Sequence, residues 1–169
     1  MNSAHVLTPA QLVEVTSKLA GLRWSWSTAE VDRVVAELGW PVAAGPTASG
    51  VVLRVGFAPV TDFAELAFAG EAATIFSVMV TSGAVGESPD ATAFRRDAFV
   101  AAVQAVGTVL GEPTDRRPGD RPEVRWLAPS GIIRVRDGGV FVELALLSAR
   151  YAATLDEWSA EESTDEEEW

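Results

Sequence analysis

The 169-residue chain contains no cysteine, one histidine and one lysine. Without cysteine there can be neither disulfides nor thiolate metal sites, and a cytoplasmic address is the simplest expectation. His5 is the lone imidazole and lies in an N-terminal stretch expected to fray. Neither a Ser-His-Asp triad in the core nor a Cys-His pair can be built from it. A zinc site would need carboxylates almost alone. Lys18 is the single lysine and the arginines are scattered along the chain. Clustered cations for phosphate binding are therefore missing, so neither nucleic acid nor an anionic membrane surface is an expected partner. No apolar run reaches the ~18–20 residues of a membrane span. The opening MNSAHVLTPAQ has no basic region followed by an apolar block, so no signal peptide is expected. Neither a G-x-x-x-x-G-K-[ST] nor a strand-borne G-x-G-x-x-G is present, and Gly131, Gly138 and Gly139 read as turn glycines. No cofactor and no metal are expected.

What is present suits one domain with a real core: 48% apolar and 22% charged residues. The net charge of −11 is uneven. Residues 156–169, DEWSAEESTDEEEW, hold eight acidic residues and no basic one, which leaves about −3 for the rest. The natural division is a single α+β domain over residues 1–155 and an acidic tail over 156–169. Such a tail is ordinarily disordered and solvated. It has neither the spacing nor the glycine of a calcium loop. A basic protein partner is the charge-compatible alternative.

The longest regular signal is 88–111, SPDATAFRRDAFVAAVQAVGTVLG. Ser88 is a good N-cap, Pro89 suits the first helical position, and Gly111 with Pro113 ends the helix. Phe94, Phe99, Val103, Val106 and Leu110 fall on one side. Gly107 costs ~1 kcal/mol against Ala, which implies either a close strand or a weak last turn. Two shorter helices precede it as a hairpin, one opened by a Thr8–Gln11 capping box and one by a Ser27–Glu30 box. Alternating segments at 51–57, 63–69 and 74–81 form one antiparallel three-stranded meander. Those at 123–128, 131–137 and 140–147 form a second. Residues 43–49 and the stretch EPTDRRPGDRP read as loops. A two-residue turn at Gly138-Gly139 would set Arg134 opposite Glu143, Val135 opposite Val142 and Ile133 opposite Leu144. A last turn of helix is expected over 148–155.

Candidate chemistry is sparse. The candidate carboxylates for acid-base work in the folded part are Asp62 with Glu65, Asp97, Glu123 and Glu143. Solvation at a strand start accounts for the first two, an exposed helix side beside Arg95-Arg96 for Asp97, and an arginine partner for Glu143. Trp40 and Trp126 read as core or core-edge. Trp24 and Trp26 are two apart in a connection, so one faces inward and the other is a candidate contact. Trp158 and Trp169 sit among acids, as interface aromatics do. The candidate partner-binding residues are Trp24, Trp26, Asp156, Glu157, Trp158, Glu161, Glu162 and Trp169, and there is no candidate catalytic residue.

Several short motifs carry a resemblance. Leu38-Gly39-Trp40 ends one helix and Leu110-Gly111-Glu112-Pro113 ends another. Arg125-Trp126 lies on the following strand, and the acidic end contains Trp158. With these the chain resembles a domain-of-unknown-function family of high-GC Gram-positive bacteria. Small proteins of this kind are similar to immunity proteins that neutralise polymorphic or type VII-secreted toxins. The resemblance implies a non-enzymatic inhibitor, with a basic toxin domain as partner and NAD-glycohydrolase toxins as one target class. It carries over no catalytic residue. The alternative expectation is a small acidic secretion or assembly chaperone that binds an extended segment of a secreted partner. The oligomeric state is left open.

Overall fold

The computed structural model describes residues 4–82 and 87–165. Helix α1 (Pro9–Ala20) begins with a complete capping box. Thr8 Oγ1 accepts the Gln11 N–H at 3.2 Å, and Gln11 Oε1 accepts the Thr8 N–H at 3.0 Å. The second expected box does not form. Ser27 caps only a 3₁₀ turn (Thr28–Glu30) that leads into α2 (Val31–Leu38). Glu30 accepts instead from the Ser25 amide at 2.9 Å, from the Ser25 hydroxyl and from Arg33. Gly39, with φ 71°, ends α2, and Lys18 Nζ donates to the Leu38 carbonyl at 2.7 Å. The only lysine thus serves a helix terminus. The N-terminus is not frayed at His5, because the His5 N–H donates to Ser82 Oγ and its carbonyl accepts the Ser82 N–H.

The strands are β1 (Val42–Thr47), β2 (Gly50–Phe57), β3 (Thr61–Ala69), β4 (Ala72–Met79), β5 (Asp115–Arg117), β6 (Glu123–Ala128), β7 (Gly131–Asp137) and β8 (Val142–Leu147). Helix α3 (Pro89–Leu110) joins β4 to β5, and α4 (Ala149–Asp165) follows β8. The fold is α+β, as the segment order implies, but the two meanders are not separate three-stranded units. Each gains a fourth strand, and they fuse through β4 and β8 into one antiparallel sheet of order β1-β2-β3-β4-β8-β7-β6-β5. The added strands β1 and β5 come from stretches read as loops. Both are sheet edges, where one side needs no partner and proline is tolerated. The linker to α3 at 83–87 falls mostly outside the described residues.

The β7–β8 hairpin differs from expectation by two residues. Residues 138–141 form the connection, closed by the Gly138 N–H donating to the Phe141 carbonyl at 2.9 Å. Arg134 therefore lies opposite Ala145, Val135 opposite Leu144 and Arg136 opposite Glu143. A shift of two leaves every side chain on its expected face. Arg134 still reaches Glu143, now diagonally, at 2.7 Å.

Helices α1 and α3 pack on each other and on β7 and β8. The buried side of α2 joins the same apolar core as Leu53, Phe76, Trp126, Ile133, Leu144 and Leu146. The helical hairpin and the long helix thus share the inner face of the sheet. The buried stripe of α3 is Ala91, Arg95, Ala98, Ala102, Ala105 and Val106. Phe99, Val103 and Leu110 only flank it, which corrects the expected apolar side and the exposed placement of Arg95. Small residues let a helix approach its neighbours closely, a property that ranking by hydrophobicity overlooks. Arg95 is paired with Asp137 at 3.3 Å. No strand crowds Gly107: a Cβ there would meet nothing within 4 Å. Among the described residues no helix is long and apolar enough to cross a membrane.

Candidate functional site: the clefts flanking the C-terminal helix

The outer face of the sheet is built by the side chains that alternate away from the core. On β8 these are Glu143, Ala145 and Leu147, on β7 Ile132, Arg134 and Arg136, and on β6 Glu123 and Arg125. Helix α4 crosses this face over β4 and β7. Ser148 starts it: its Oγ accepts the Tyr151 N–H at 3.1 Å while its own N–H donates to the Thr74 carbonyl at 2.9 Å. The stretch expected to close with a last turn at 155 and then become a disordered tail is helical as far as Asp165. Tyr151, Ala152 and Leu155 pack on Ile75, Ile132, Ala145 and Leu147, a small apolar cluster separate from the main core.

One turn further, Asp156 is clamped by two guanidinium groups. Its Oδ1 accepts from Arg117 Nη1 at 2.7 Å and Arg125 Nη2 at 2.9 Å. Its Oδ2 accepts from Arg117 Nη2 at 3.3 Å and Arg125 Nη1 at 3.1 Å. Each arginine is aimed by an acid two residues away on its own strand. Arg117 Nε donates to Asp115 at 2.7 Å, and Arg125 Nε to Glu123 at 2.5 Å. The hydrogen bonds from Arg117, the largest effect, hold the Asp156 carboxyl down at about 2 against the opposing effect of burial, with Arg125 adding to the lowering. The same contact with Asp156 raises Arg117. Such double forks are strong and geometrically selective.

Beside this clip, Arg134 and Arg136 share Glu143, at 2.7 and 3.8 Å. Arg134 is 3% exposed. The Nε atoms of both arginines are buried and have no hydrogen-bond partner among the described residues. Arg117, Arg125, Arg134 and Arg136 line a polar cleft of about 210 Å³ on one side of α4. On the other side lies an apolar cleft of about 480 Å³ that includes Ala67, Phe68, Thr74, Tyr151 and Thr154. Trp158, 54% exposed, lines both.

Residues 10–148 match a described family of unknown function, DUF6301. The chain belongs to that family. No curated protein and no solved structure matches it. The DUF6301 span takes in the helical hairpin, α3 and the whole sheet, and it ends at Ser148, the residue before α4. In this DUF6301 protein α4, which lies along both clefts, follows the matched residues.

The residues singled out by sequence divide in two. Asp156, Glu157, Trp158, Glu161 and Glu162 are all on α4, with Glu157, Glu161 and Glu162 exposed. Trp24 and Trp26 are elsewhere, at the foot of the sheet, and line neither cleft. They stack at 4.7 Å. Trp26 is buried with φ 66°, and its indole N–H donates to the Ser130 carbonyl at 2.6 Å. Its role is to tie the α1–α2 connection to the β6–β7 turn. Trp24 is half-buried over it. Trp169 lies outside the described residues.

Of the candidate carboxylates, Asp62 pairs with Arg54, while Glu65 and Asp97 are exposed. Glu123 lines the polar cleft, and Glu143 pairs with two of its arginines. Among the described residues no three His, Asp or Glu side chains converge as a metal site. Along the sequence the arginines are scattered. Their signal was the period-two repetition Asp115/Arg117, Glu123/Arg125 and Arg134/Arg136, which puts each pair on one strand face. The polar cleft is thus a web of ion pairs in which arginine N–H groups occupy the carboxylate lone pairs.

Proposed function

We propose that this DUF6301 protein is a non-enzymatic, toxin-neutralising protein of the immunity type. It binds a cognate secreted toxin in the cytoplasm of a high-GC Gram-positive bacterium and blocks the toxin's active site, with NAD-glycohydrolase toxins as one target class. The observation that carries this reading is the exposed side of α4 around Trp158. There Trp158 is more than half exposed, beside an apolar cleft and among Glu157, Glu161 and Glu162. An exposed aromatic within a ring of like charge is how a binding hot spot is built. The sign of the charge selects a basic partner. An interface of ~1,200–2,000 Å² would be of standard size.

A second reading, a small acidic secretion or assembly chaperone, is favoured by edge strand β1, all six of whose residues are exposed and could pair with an extended segment. Co-expression with candidate secreted toxin domains, an NAD glycohydrolase among them, separates the two. Under the inhibitor reading growth is rescued, and Trp158→Ala weakens the complex by roughly thirtyfold, the scale of a 2 kcal/mol hot spot. The same substitution leaves the unfolding midpoint unchanged. Absence of rescue together with binding of an unfolded partner segment would move the function to the chaperone.

A further inference from the structure

We infer that the outer face of β4, β8, β7, β6 and β5 is a helix-docking groove, that α4 is its resident but exchangeable occupant, and that the partner it fits is an acidic amphipathic helix. This does not rest on the toxin reading, and failure of growth rescue leaves it untouched.

The groove has two features one helical turn apart. The first is an apolar strip, Ile75, Ile132, Ala145 and Leu147, that accepts Tyr151, Ala152 and Leu155. The second is the Arg117–Arg125 clip that accepts Asp156. The clip is preorganised without α4, because Asp115 and Glu123, on the same hairpin, hold both Nε groups. Preorganised forks lose little freedom when a carboxylate arrives. A helix offering an aromatic or leucine pair and then a carboxylate satisfies both features at once, in the manner of helix-in-groove recognition.

Apart from the clip, the present occupant makes few buried contacts. Its apolar cluster is detached from the main core. Residues 157–164 are exposed. The Thr154, Ser159, Ser163 and Thr164 hydroxyls each bond back to the carbonyl four residues earlier, a habit that weakens and bends helices. Elements with few buried apolar contacts open well below the free energy of global unfolding.

The test uses the full chain and a fluorescein-labelled peptide of residues 149–165 as the probe. Amide exchange of α4 is expected to be at least about 100-fold faster than that of β8. Asp156→Asn in the chain should accelerate α4 exchange and leave β8 unchanged. The peptide should bind that variant about tenfold tighter than the wild-type chain, since a larger fraction of grooves is open. A peptide that itself carries Asp156→Asn should not bind. Should the Asn chain lose β8 protection, Tyr151→Ala in the chain loosens α4 without touching the arginines and is expected to give the same tightening. A common exchange rate for α4 and β8, or equal binding of the two peptides, would overturn the inference.

Discussion

The two faces of the sheet solve different problems with the same strands. On the inner face Leu53, Phe76, Trp126, Ile133 and Leu144 are sealed beneath three helices. On the outer face of β5–β8 the buried residues include Arg125, Arg134 and Glu143, and one helix lies across them. Apolar packing is non-directional and tolerates a two-residue slip that keeps the pattern. Charged pairs with fixed forks do not. The inner face therefore supplies most of the stability, and the outer face supplies geometry: the β7–β8 register and the position of α4.

Removing bulk from the inner face is the harshest way to expose this difference. Phe76 is fully buried, with Trp40 edge-on at 6.2 Å. Phe76→Ala is expected to cost about 3–5 kcal/mol, read from the denaturant midpoint. A loss no larger than that of an outer-face truncation such as Ile75→Ala would erase the contrast.

The buried pair Arg134–Glu143 is the next probe. Glu143→Gln leaves a guanidinium uncompensated at 3% exposure and is expected to cost about 3 kcal/mol. Replacing both partners, as Arg134→Met with Glu143→Leu, should recover most of that loss, because well-packed apolar residues match or exceed a buried ion pair. The double variant is also expected to lose definition of the hairpin register, visible as broadened amide signals at 138–141. A double variant as unstable as the single one would show that the pair adds stability as well as specification.

What could be read from the sequence follows the range of each interaction. The Thr8–Gln11 box, the Ser88 cap and the strand alternation are local, and they reappear where expected. Edge strands β1 and β5 were hidden because proline, glycine and charge mark loops and tolerant edges alike. Alanines 98, 102 and 105 were hidden because bulk was weighed over fit. Helix α4 was expected only as a last turn over 148–155, and its run to Asp165 was hidden because eight acids spoke for solvation. Asp156 and Trp158 were recognised as candidates, but the clip was not. Its partners are 31 and 39 residues away in sequence, and only the β5–β6 pairing brings them together.

The gentlest way to part the faces is acid. Asp156 falls from its ordinary 3.8 to about 2 in the folded chain, chiefly through Arg117. A carboxyl lowered on folding contributes stability that is complete above its ordinary value and is lost as pH falls toward the folded one. Glu30 falls from 4.5 to about 2, chiefly through its Ser25 hydrogen bonds, so it titrates over an overlapping range while holding the α1–α2 connection. A global melting curve would blend the two, whereas amide protection resolved by element separates them. Protection of α4 is expected to decline between about pH 4 and pH 2 in the wild-type chain. In the Asp156→Asn chain it should already be low at neutral pH and flat across that window, while the Glu30 response around α2 persists. An α4 that loosens equally with acid in both chains would mean that the Arg117–Arg125 clip does not hold the helix, and that the apolar cluster under Tyr151 and Leu155 does so alone.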